Sequence, residues 1–181
     1  MVKAMPRLLT CSVIAGAVCA LAACAPTLGP APPGGPRGGG AEVFRAQDFA
    51  WSTENGSGGV SGHVAYRQGK VRYSCAKATV ILTPETPWTR KRMRTLYLSS
   101  EAAAEPADAV RARTPSAPGE DYSAYIRRTT CDASSRFSFS GLPDGAWYAI
   151  TIAKPAGGSG PPIALMKRVT TQDGKTTPVE L

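Results

Sequence analysis

Few side chains in this sequence are able to do chemistry. It holds one histidine, His63, and five cysteines: Cys11, Cys19, Cys24, Cys75 and Cys131. His63 ends the run Gly59-Val60-Ser61-Gly62-His63, which approaches a nucleophile elbow but places histidine where that turn needs its second glycine. The strand–turn–helix setting of the elbow is missing as well. Glu101, Glu105 and Asp108 lie in an alanine-rich stretch and read as solubilising charges, not as a catalytic pair. The Gly38-Gly39-Gly40 run is not followed by the Gly-Lys-Ser/Thr of a phosphate loop. Without a second histidine, a paired acid and base or a metal-ligand cluster, the expectation is no enzyme and no cofactor.

The cysteines sort by position. Met1–Arg7 carries Lys3 and Arg7, and Leu8–Ala20 is apolar apart from Thr10 and Ser12. Small residues then lead to Cys24, which completes the three-part layout of a secretory signal. A membrane-spanning anchor is the rival reading. It would need about 20 apolar residues, and here Pro and Gly follow at once instead of a basic flank. Leu21-Ala22-Ala23-Cys24 resembles the lipobox of bacterial lipoproteins. The resemblance implies cleavage before Cys24 and acylation of its thiol and freed amine, with membrane lipid as the partner. Two or more acyl chains anchor a protein stably where a single one holds it only marginally. Ala25, in place of aspartate, resembles the signal for outer-membrane delivery, which implies a lipid-anchored protein of the cell envelope facing the periplasm.

Cys11 and Cys19 leave with the signal, so Cys75 and Cys131 remain as an even pair in an oxidising compartment. A bridge between them would be worth roughly 4 kcal/mol by loop entropy. The alternatives are two buried thiols or half of a metal site, for which one histidine supplies too few ligands.

The chain has 181 residues, 19 Gly, 16 Pro and a formal charge of +8, which falls to about +6 without Lys3 and Arg7. That size suits one domain and a tether. Residues 1–23 form the signal, 24–47 a Pro/Gly-rich spacer that buries too little to fold, and 48–181 the domain. Short runs of Val, Ile, Thr and aromatics predict an all-β fold. The predicted strands are Gly59–Tyr66, Ala78–Thr83 (Val80 and Leu82 inward), Arg94–Ser99, Ser123–Thr130, the Phe137/Phe139 segment, a strand ending at Ala153, Ile163–Val169 and Thr176–Leu181. Gln68–Ser74 reads as a loop, and residues 100–121 as a surface insertion with a short helix broken or restarted at Pro106. The strand that ends at Ala153 is partly apolar on both faces, with Trp147 on one and Tyr148 on the other. The basic excess is too diffuse to argue for nucleic acid. Its densest part, Arg90, Lys91, Arg92 and Arg94 beside Trp88, offers a surface for lipid phosphates or an acidic partner. A solvated loop or polar strand edge is the other reading.

Val60-Ser61-Gly62-His63-Val64, Ala78–Pro84 and Asp132–Trp147 together resemble the carboxypeptidase regulatory-like domain, a transthyretin-related sandwich. The family pattern has Gly at Ser135 and Tyr at Trp147. The resemblance implies an antiparallel Greek-key β-sandwich of about seven strands (prealbumin-like) with Trp147 inward, and an accessory, adhesive or carrier role. One transthyretin-related branch hydrolyses 5-hydroxyisourate with several histidines, which this chain lacks. The expected function is a membrane-anchored envelope lipoprotein presenting a non-catalytic binding module on its loops, chiefly 86–94 and 100–121. An assembly or docking lipoprotein of an envelope complex is one alternative. The other is a cell-wall or carbohydrate-binding module using Trp51 or Trp88.

Overall fold

The computed structural model describes residues 43–115 and 121–181; the expected signal, Cys24, the expected tether up to residue 42 and residues 116–120 lie outside them. The described chain begins with a one-turn helix, α1 (Ala46–Phe49), and a 3-10 turn (Ala50–Thr53). Strand β1 (Gly58–His63), a small hairpin of β2 (Arg67–Gln68) and β3 (Val71–Ser74), and β4 (Thr79–Pro84) follow. Helix α2 (Pro87–Tyr97), strand β5 (Ala102–Pro106) and helix α3 (Ala107–Ala112) form the middle of the chain. A 3-10 turn at Ser123–Tyr125 then leads to β6 (Arg127–Thr130), β7 (Arg136–Leu142), β8 (Gly145–Pro155), β9 (Ile163–Thr171) and β10 (Thr176–Glu180).

Two sheets pack as a sandwich. One has the order β10-β1-β7. The other is built around β8, with β4 and β9 on its two sides, β6 outside β4 and β5 outside β9. The β2–β3 hairpin joins this second sheet at the C-terminal end of β8. Val60, Phe137, Phe139 and Val179 meet Val80, Leu82, Trp147, Leu165 and Val169 in the main core. Gly62 faces that core because a Cβ there would lie 2.3 Å from the Phe137 ring and 2.7 Å from Val179.

A second cluster covers the outer face of the larger sheet. Met93, Leu96 and Tyr97 of α2 and Ala107 of α3 pack on Tyr148, Ala164 and Met166. Trp147 and Tyr148 are both fully buried, one in each cluster. The expectation of a central strand covered on both sides is met there, and Trp147 is the residue facing the sandwich interior.

The all-β sandwich expectation holds, with differences in detail. The described residues contain ten strands instead of about seven, and β1 pairs with β10 in parallel, from Gly59↔Thr176 to His63↔Glu180. The Gln172–Lys175 turn, with Asp173 at φ 57° and Gly174 at φ 65°, carries the chain from β9 across to the smaller sheet, so β10 runs alongside β1. Gln68–Ser74, expected as a loop, is mostly hairpin. Its two-residue turn puts Gly69 at φ 61°, as a primed turn requires at its first central position. Ala102–Pro106, expected within a surface insertion, is an edge strand on β9, and the insertion's short helix, α3, only begins after Pro106. Arg94–Ser99, expected as a strand, is the end of α2, which closes at Leu98 in a left-handed conformation, φ 58°. Ser135, where the resemblance places glycine, adopts φ 61° and so keeps the turn a glycine would make.

Candidate functional site

Helix α2 carries every residue of the basic segment singled out from the sequence. Thr86 caps it: its Oγ1 accepts from the Thr89 N–H at 3.1 Å, while Thr89 Oγ1 accepts from the Thr86 N–H at 2.7 Å. With Pro87 in the first turn this is a complete helix start, which is why the segment is neither loop nor strand. Thr89, Met93, Leu96 and Tyr97 recur at helical spacing and form the buried side. At about 100° per residue the basic side chains between them cannot share one face.

Arg90 lies on the flank nearest the β4–α2 junction. Its Nε donates to Glu85 Oε1 at 2.8 Å. Arg168 donates to Glu85 Oε2 at 2.7 Å and the Tyr148 hydroxyl to Oε1 at 3.0 Å. The Glu85 side chain is only 5% exposed. Burial pushes its pKa up, but the hydrogen bonds from Arg168, Arg90 and Tyr148 together outweigh burial and hold it below the ordinary value. Burial, with the Glu85 charge beside it, pushes the Tyr148 hydroxyl up to about 12. Arg90 is therefore held in an internal network.

The opposite flank is different. Trp88 and Arg92 are one turn apart, and the Arg92 guanidinium carbon sits 5.5 Å from the Trp88 ring centre and 5.7 Å from that of Tyr122. Trp88 and Tyr122 meet edge to face at 5.0 Å. Phe44 and Phe49 add rings 5.5 and 6.2 Å from Trp88. Arg92 Nε is buried without a hydrogen-bond partner. Beside the stack lies a hollow of about 190 Å³ lined by Trp88, Lys91, Arg92, Thr95, Leu96 and Pro115. Lys91 and Arg94 are exposed. The hollow thus offers an apolar ring, a cation held in place by stacking and the ammonium of Lys91. That suits holding a ligand with an apolar face and polar or anionic groups.

The other expected residues lie elsewhere. Cys24 is outside the described residues. Cys75 and Cys131 form a buried disulfide, which settles the pairing left open by the sequence. Trp51 meets Trp147 edge to face at 4.8 Å, over Gly145, so it belongs to the core margin. His63 is partly exposed, and its Nε2 lies 3.6 Å from Glu180. Among the described residues there is no group of three or more His, Cys, Asp or Glu able to hold a metal ion. Sequence reasoning missed Tyr122, Phe44 and Glu85. Thr86-Pro87-Trp88-Thr89 was a readable helix start that would have paired Trp88 with Arg92, whereas nothing local brings Phe44 or Tyr122 to them.

No protein-family model matches the chain, and no curated protein matches it. Among solved structures it is similar to a putative carbohydrate binding protein from Pseudomonas aeruginosa, with TM-score 0.52 and 21% identity over 76% of this chain and 96% of that one. It also matches the minor pilin of Streptococcus agalactiae, with TM-score 0.36 and 15% identity over 72% of this chain and 44% of that one. The first likeness concerns the fold.

Proposed function

We propose that this chain is a non-catalytic module of the bacterial cell envelope, anchored through acylated Cys24, that binds saccharide on the α2 face. The observation that carries the reading is the Trp88–Arg92–Tyr122 stack beside its hollow. A sugar ring presents apolar C–H groups to an aromatic face and hydroxyls to fixed donors, and the hollow is of the size of one ring. The carbohydrate binding named for the Pseudomonas neighbour is in keeping with this. The Cys75–Cys131 bridge supports export, because disulfides persist in oxidising compartments.

Titrating the detergent-purified full chain with soluble peptidoglycan fragments tests this. Trp147 is buried and Trp51 packs edge-on against it at the core, so quenching on binding reports Trp88. Arg92→Gln is expected to weaken binding at least tenfold. A flat titration of the wild type, or an unchanged one for the variant, would remove α2 as the saccharide face.

One contact favours a second reading, membrane docking by the same helix. Phe44 lies against Trp88, so the tether joins the domain beside α2. That would keep exposed Lys91 and Arg94 close to lipid phosphates. Lys91→Glu/Arg94→Glu in a Cys24→Ser chain is then expected to lower pelleting with anionic vesicles severalfold. Equal pelleting of the two chains would leave these charges as solvated surface.

A further inference from the structure

At the other end of β8 from Trp51, the β2–β3 hairpin carries a pair of arginines with nothing to neutralise them. Arg67 and Arg72 are directly opposite in register. Both are exposed, and among the described residues neither guanidinium has a hydrogen-bond or ion-pair partner. Like charges directly opposite destabilise a hairpin. Both arginines line a hollow of about 450 Å³, within the usual range for small-ligand sites. Tyr66 and Tyr73, in edge contact at 5.2 Å, form part of the same wall. Tyr73 is buried and fixed by donating to Gln68 Oε1 at 3.1 Å, while Tyr66 is half-buried.

We propose that this hollow is a second site, for an anionic saccharide whose carboxylate or phosphate is gripped by Arg67 and Arg72 while a sugar ring lies on Tyr66. The class of ligand rests on the saccharide reading above; the site itself rests on the hairpin. A bound oxyanion turns the arginine repulsion into two charge-assisted hydrogen bonds, for which the planar guanidinium fork is suited. The remaining polar groups fit this role. Ser74 and Ser135 hydroxyls bond each other at 2.7 Å and stiffen the floor. Asp132, next in sequence to the Ala133–Ser135 part of the lining, turns Oδ1 to the N–H groups of Ser134 and Arg136, both at 2.8 Å, which blunts its repulsion of an anion. Ser134, exposed on the rim, adds a hydroxyl.

The position favours capture. Trp51, just after α1, lies over Gly145 at the start of β8, whereas Tyr73 pairs with Pro155 at its end. The eleven residues of β8 span roughly 35 Å. A domain tethered next to α1 therefore presents the hairpin at its far end.

The full chain in detergent is titrated by calorimetry with trigalacturonate, glucose 1-phosphate and neutral galactotriose. At least one anionic probe is expected to bind tenfold or more tighter than galactotriose, and which one does so separates carboxylate from phosphate. Arg67→Gln/Arg72→Gln is expected to remove at least tenfold in affinity, with Arg67→Lys/Arg72→Lys intermediate and no melting midpoint lowered. Arg111→Gln/Arg128→Gln, the same charge change at exposed sites elsewhere, is expected to leave affinity unaltered. Equal losses in the two glutamine doubles, or galactotriose binding as tightly as the anions, would overturn the site. Anion binding lost in Arg92→Gln but kept in Arg67→Gln/Arg72→Gln would overturn it too, leaving the α2 reading intact. No binding of any probe here, with peptidoglycan fragments still binding at α2, would likewise overturn this site alone.

Discussion

Replacing Cys75 and Cys131 together by alanine is expected to lower the unfolding free energy by about 4 kcal/mol. The bridge spans 56 positions in sequence, and the loop-entropy relation at 25 °C gives roughly that value. The folded state should change little, because backbone contacts already hold the two segments side by side. Cys131 N–H donates to Ala78 O at 2.9 Å, Lys77 N–H to Cys131 O at 3.0 Å, and Cys75 N–H to Ser135 Oγ at 3.2 Å. The bridge therefore acts mainly on the unfolded chain, whose freedom it restricts. Urea titration of oxidised wild type against the double variant measures the effect, and the melting midpoint should fall by about 10–20 °C. Far-ultraviolet dichroism of the folded forms should coincide. A loss below about 1 kcal/mol would mean that the reduced unfolded chain already keeps these segments close.

What was legible in the sequence follows from how each element is buried. β1, β4 and β7 each put one face into the core, so Val60 and Gly62, Val80 and Leu82, and Phe137 and Phe139 stood out at a spacing of two. In β8 both faces are covered, so Trp147 and Tyr148 competed for the inward position although each has its own core. β5 carried no strand signal, since Ala102–Pro106 has no β-branched or aromatic residue; it is a strand because β9 offers it an edge. The parallel pairing of β10 with β1 is a tertiary fact that no local pattern encodes. In α2 the dense positive run drew attention from the periodicity of Thr89, Met93, Leu96 and Tyr97. Once helical, that run divides, with Arg90 on Glu85 and Arg92 on Trp88 and Tyr122. The paired arginines of the small hairpin were illegible because two- and four-residue strands are too short to show alternation.

Glu85→Ala is expected to cost about 2–4 kcal/mol. Removing one partner of a buried ion pair usually costs about 3–5 kcal/mol, but Arg90 and Arg168 are 50% and 32% exposed and can turn partly to water. The Tyr148 hydroxyl, packed under α2, is left without its acceptor. Glu85→Gln keeps an acceptor for Tyr148 and should cost about half as much. The sign of the pH dependence separates charge from packing. The folded pKa of Glu85 lies below its unfolded value, so its contribution is present above about pH 4.3 and fades as pH falls through the lower folded value. The stability gap between wild type and Glu85→Gln should therefore close on acidification. Tyr148 works in the opposite direction: its hydroxyl is raised to about 12, so its contribution is lost as pH rises from about 10 towards 12. Urea unfolding of both proteins across the pH range reads the two limbs. Parallel acid limbs would mean that burial cancels the three donors at Glu85. Because Glu85 and Thr86 join β4 to the capped start of α2, the alanine variant should also shift Trp88 emission, linking this buried carboxylate to the geometry of the Trp88–Arg92 stack.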